Sequence, residues 1–150
     1  MVTYKAIETF LESLEKLERK GKKNYLKIRK DISDKFSEIE DVVDLLKSDI
    51  IVHLDNRIVL KTRVPNTTMR EGSSGGYRVI NIIDAEEQEV IFLEVYPKKG
   101  KLAKSDLSKK EKIALLKEYL EQALENTLKE VDINKELKVI EEEKPETEDE

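Results

Sequence analysis

The chain has 150 residues, 28 Lys and Arg against 33 Asp and Glu, a formal net charge of −5, and only 5% aromatic residues. Without cysteine there is no disulfide framework, thiolate metal site or cysteine nucleophile, and the lone His53 has no histidine or carboxylate company of the kind that holds a metal. No apolar run reaches the roughly 20 residues of a membrane-spanning helix, and Met1 to Lys5 lacks a signal-peptide core. One soluble, cytoplasmic domain with a core of Leu, Ile and Val is therefore expected.

Taken in order, Val2 to Ile7 reads as a short strand. Thr9 is a candidate N-cap, with Glu12 as capping-box partner. Phe10, Leu11, Leu14 and Leu17 follow with helical spacing, and Gly21 is the expected stop. A second helix is predicted from Asn24 to Ile39, where Tyr25, Ile28, Ile32, Phe36 and Ile39 fall on one face. The two helices read as a hairpin laid on a sheet. Glu40 to Ser48 suggests one or two helical turns, and Ile50 to Leu54 a strand. Asp55-Asn56 is a two-residue hairpin turn.

A strand from Arg57 ends at Pro65, which cannot donate to a ladder. Pro65 to Ser74 is loop by composition, Gly75-Gly76 opens the next strand, and Asp84 to Gln88 turns into a strand beginning at Val90. Asp106 or Ser108 caps a further helix, in which Ile113, Leu116, Leu120, Leu124 and Leu128, with Ala123, recur at helical spacing. Residues 131–140 fit either a short strand or more helix. The acidic segment from Glu141 onward is expected to be disordered. The domain boundaries expected are 1–130 for the folded unit, including its extended C-terminal helix, and 131–150 for the tail.

Residues 57–104 hold nine Lys and Arg against six Asp and Glu, whereas 141–150 hold seven acids and one Lys. The acidic total thus masks a basic middle. Strand alternation puts Arg57, Val59, Lys61 and Arg63 on one face and Ile58, Leu60, Thr62 and Val64 on the other. A row of cations on one sheet face is a site for a polyanion.

The run Ser73-Ser-Gly-Gly-Tyr-Arg-Val-Ile80, with Lys61-x-Arg63 upstream and Tyr96-x-Lys98-Lys99 downstream, resembles the RelE/ParE toxin superfamily, in particular the RelE and HigB-like mRNA endonucleases of type II toxin–antitoxin modules. The resemblance spans residues 3 to 112. It implies an α+β fold, with an N-terminal strand and two-helix hairpin packed on a small antiparallel sheet. It implies a toxin that inhibits translation by degrading mRNA at the ribosome, without metal or other cofactor, under the control of a cognate antitoxin. A ParE-like topoisomerase inhibitor or an inactive partner-binding member is the alternative.

The reaction implied is attack of the RNA's own 2′-hydroxyl on the adjacent phosphorus. It needs a proton acceptor, cations on the non-bridging oxygens and a donor for the leaving 5′-oxygen. The resemblance points to Lys61 as acceptor, to Arg63 and Arg78 on the phosphorane charge, and to Lys98 or Lys99 at the leaving group. Arg70, Tyr77, Tyr96, Lys99 and Lys101 are the candidate substrate-binding residues, with Tyr96 stacking on a base or donating its hydroxyl.

Overall fold

The computed structural model describes residues 1–141; most of the acidic tail, from 142 onward, lies outside the described residues. The chain runs β1 (Thr3–Ala6), α1 (Glu8–Lys20), α2 (Lys22–Tyr25), α3 (Ile28–Ser37), a 3-10 segment (Val42–Lys47), β2 (Asp49–Leu54), β3 (Arg57–Val64), β4 (Tyr77–Asp84), β5 (Glu89–Pro97), α4 (Lys109–Glu125), β6 (Lys129–Asp132), a second 3-10 turn (Ile133–Lys135) and β7 (Lys138–Val139). The fold is α+β. One seven-stranded sheet has the order β2-β3-β4-β5-β1-β6-β7. Among the described residues, only the β1–β5 pair is parallel.

The middle of the sheet forms because β4 and β5 are nearly continuous apolar runs. Every residue of β4 is buried, as expected of strands covered on both faces. On one face Phe92 stacks on Tyr4 and Phe10, at ring separations of 6.1 and 4.9 Å, and meets Phe36 edge-on at 4.9 Å. The stripes of α1 and α3 close that side, with Leu14, Ile28 and Ile32 fully buried. On the other face Leu115 and Leu116 of α4 line a narrow gap with Ile51, Val59, Ile80 and Leu93.

Several expectations are corrected. The sheet is not small, because β6 and β7 extend it beyond β1, and it is not wholly antiparallel, because β1 runs parallel to β5. Val131 and Leu137, in the stretch assigned to a disordered tail, are buried, so a boundary at 130 would cut through β6. The extended C-terminal helix stops at Glu125, where Asn126 adopts a left-handed conformation (φ 58°), and Leu128 lies beyond it. Its predicted stripe is also displaced. Leu115 and Tyr119 are buried, whereas Ile113, Leu120 and Leu124 are exposed.

Thr9 is not a cap, because α1 begins one residue earlier. Glu118 of α4 accepts from the Thr9 amide (3.0 Å) and from its hydroxyl, and the Gln122 side chain accepts from the Glu8 amide (3.2 Å). A carboxylate there satisfies amides that have no partner within the helix and complements its dipole. The second helix is broken at Leu26 and Lys27. Tyr25, just before the break, donates its hydroxyl to the Lys99 carbonyl and accepts from the Leu102 amide (both 2.9 Å).

Candidate nucleic-acid interface

The cations come together because of register. β3 and β4 pair with Arg63 opposite Arg78 and Lys61 opposite Ile80. β4 and β5 pair with Arg78 opposite Tyr96. Directly opposed residues share a face, so Arg63, Arg78 and Tyr96 form a row across three strands at one end of the sheet, with Lys61 beside it. This is the face that α4 covers further along.

Asp106, in the loop before α4, binds the group together. Its carboxylate accepts from the Tyr96 hydroxyl at 3.0 Å. It lies 3.7 Å from the Lys61 ammonium and 4.0 Å from that of Lys112. The Leu107 amide, the Tyr96 hydroxyl, Lys61 and Lys112 all hold this carboxyl below its ordinary value, so it is ionised at neutral pH. Burial first, and then the Asp106 hydrogen bond, push the Tyr96 phenol well above its ordinary value, so it remains a neutral donor. The Lys98 ammonium reaches the carbonyl of Ser105, next to Asp106.

Arg78 is 7% exposed. Its guanidinium donates to the carbonyls of Ser73 (3.1 Å), Ser74 (2.9 Å) and Tyr77 (3.3 Å), pinning the end of the 65–74 loop. Burial and then the neighbouring Arg63 both disfavour its charge, yet a guanidinium stays protonated in proteins. Arg63 is exposed and makes no ion pair among the described residues. A cleft of about 640 Å³ opens beside Lys61 and Arg63, lined also by Lys35 and Lys47 and by the carboxylates Glu38, Asp44 and Asp49. It exists because β2 starts at Asp49, opposite Lys61, and leaves the rest of β3 unpaired on that side.

The other predicted residues are elsewhere. Tyr77 must point opposite to Arg78, since adjacent strand residues alternate. It is fully buried with its ring 6.1 Å from that of Tyr25, so it is core and not a substrate contact. Lys99 pairs with Glu71 at 3.3 Å, and the Lys101 amide donates to Asn24 on α2 (2.8 Å). Arg70 is an exposed loop residue with φ 57°. Its loop is tied to α3, where the Thr67 amide and hydroxyl donate to Asp31 at 3.0 and 2.7 Å. These four residues lie on the helix-hairpin side, away from the Arg63–Arg78–Tyr96 row.

Sequence reasoning considered Asp106 only as a helix cap and missed its place in the group. The cap is Ser108, in a capping box with Glu111, which leaves Asp106 free for Lys61 and Tyr96. Glu94 was missed too. It lines a small cleft with Ser13, Lys16 and Lys104 next to Tyr96, and burial raises its pKa against an opposing Ser13 hydrogen bond. Among the described residues no group of His, Asp and Glu is placed to hold a metal ion, and no helix is long and apolar enough to cross a membrane. No family model, curated protein or solved structure matches the chain.

Proposed function

We propose that this chain is a RelE/ParE-type toxin: a metal-independent endoribonuclease that cleaves mRNA at the ribosome and is held in check by an antitoxin protein. One observation carries the reading. Lys61, Arg63, Arg78 and Tyr96, from three separate strands, converge at one end of one sheet face beside an ionised carboxylate. The order of an N-terminal strand, a helix hairpin and antiparallel strands supports the family likeness.

The 2′-oxygen bonds to phosphorus, and the P–O5′ bond breaks. The ion pair with Asp106 leaves Lys61 as a cation for the phosphate, so the acceptor role moves from Lys61 to Asp106. Arg63 and Arg78 stabilise the charge on the non-bridging oxygens. Tyr96, kept neutral, or Lys98 supplies the proton to the departing 5′-oxygen. The products are a 2′,3′-cyclic phosphate and a 5′-hydroxyl.

The test is to incubate pure protein with labelled mRNA in two arms, free mRNA in EDTA and mRNA on translating ribosomes in their magnesium buffer. Fragments ending in cyclic phosphate, lost in an Arg63→Ala/Asp106→Asn variant, are expected. A second reading, a non-catalytic ParE-like inhibitor, draws on Arg78, three of whose donor contacts are to backbone carbonyls. Intact RNA under both conditions together with inhibited gyrase supercoiling would replace the first reading with the second.

A further inference from the structure

We propose that α4 is a self-association surface that pairs antiparallel with α4 of a second copy of this chain. Ile113, Leu120 and Leu124 lie on one stripe of α4 and are 56%, 55% and 88% exposed. They lie on the side of the helix turned away from the buried Leu115 and Tyr119 and are not needed to cover the sheet. Residues 142–150 contain no aliphatic or aromatic side chain to lay over them. Three large apolar side chains in a row, left in water, mark an interaction site.

Charge specifies the occupant. The first half of α4 carries Lys109, Lys110, Lys112 and Lys117 against one acid, Glu111. The second half carries Glu118, Glu121 and Glu125 and no base. Lys117 and Glu121 are exposed on the same flank of the apolar stripe. Antiparallel pairing about a two-fold axis sets each basic half against the partner's acidic half, with Lys117 opposite the partner subunit's Glu121. It also brings Ile113 against the partner subunit's Leu124. A parallel pair would put like charges together. The stripe is about 17 Å long at 1.5 Å per residue, a small contact by the standard of stable complexes. The dimer is therefore one that forms and dissociates with concentration.

Sedimentation velocity across a dilution series tests this. The wild-type chain is expected to pass from monomer to dimer, and added salt to weaken the dimer. Leu124→Glu, at an exposed position that leaves the core intact, is expected to raise the dissociation constant about tenfold or more. Lys117→Glu alone and Glu121→Lys alone each set like charges together and are expected to be monomeric. Mixed in equal amounts they are expected to dimerise. A wild-type chain monomeric throughout, a dimer indifferent to Leu124→Glu, or a mixture that stays monomeric would each overturn the proposal. Capture of an unrelated protein by a monomeric chain would do so as well.

Discussion

The Tyr96 hydroxyl and the Asp106 carboxylate are joined by a 3.0 Å hydrogen bond, and the Lys61 ammonium lies 3.7 Å from the same carboxylate oxygen. The pair connects the end of the sheet to the loop that launches α4. In the proposed reaction Asp106→Asn removes the proton acceptor, at an expected cost of about 10²–10⁴ in kcat. Affinity for an RNA carrying a 2′-deoxy block is expected to change little. Tyr96→Phe removes a donor that helps hold the carboxyl ionised. The Asp106 pKa must then rise, so the acid limb of the pH–rate profile is expected to move to higher pH. An unmoved acid limb would mean that Asp106 is not the titrating group.

Arg63 and Arg78 face each other across β3 and β4, but they differ in burial. Arg63→Ala is expected to leave thermal stability unchanged and to weaken RNA binding, lowering the salt slope by about 1. Arg78→Ala leaves carbonyls in the 73–77 segment without their donor and is expected to cost about 1–3 kcal/mol. Arg78→Lys is not expected to restore it, since one ammonium cannot reproduce the fork. Filter binding across salt concentrations and urea unfolding separate the two effects.

Two glycines of the motif region make an internal control. A Cβ on Gly76 would stand 2.1 Å from the Val64 carbonyl oxygen and 2.8 Å from the Asn66 amide nitrogen, both backbone atoms. Gly76→Ala is therefore expected to destabilise the protein by about 3 kcal/mol or more, as a forced backbone shift does. At Gly72 nothing lies within 4 Å, and Gly72→Ala is expected to stay within about 0.5 kcal/mol. Chemical denaturation of both variants measures the difference.

Burial raises the Glu94 pKa, so the folded state binds its proton more tightly than the unfolded chain. The stability from that proton is complete below the unfolded pKa of about 4.3. It is lost as pH rises through the folded value. Glu94→Gln stays neutral throughout. Its melting temperature is expected to exceed that of the wild type at pH 8, and the gap is expected to shrink as pH falls to about 4. A gap that grows on acidification would reverse the assignment.

Contacts set by period and turn chemistry were legible. Alternation in β3 put Lys61 and Arg63 on one face and Leu60 and Thr62 on the other, where the latter are buried. Asp55-Asn56 is the β2–β3 turn, with Asp55 at φ 51°. Ser108 caps α4 with Glu111, as its spacing allowed. Contacts set by distant partners were not. The local pattern at Thr9 cannot show that Glu118 fills its N-terminal amides. In α4 apolar residues occupy two sides of the helix, and nothing local says which side meets the sheet. β6 and β7, of four and two residues, are too short for a period to register. Tyr77 was misplaced for a different reason. Its alternation with Arg78 was readable, but the motif was treated as one unit.

β1 is flanked by strands from much later in the chain, with Thr3 opposite Glu89 and Lys5 opposite Glu130. A nascent polypeptide halted before Lys129 therefore keeps one border of β1 bare, with amides and carbonyls free to hydrogen-bond to any passing strand. The hazard of wrong assembly thus lasts until β6 has emerged. Fragments truncated ahead of β6 are the species that would aggregate first.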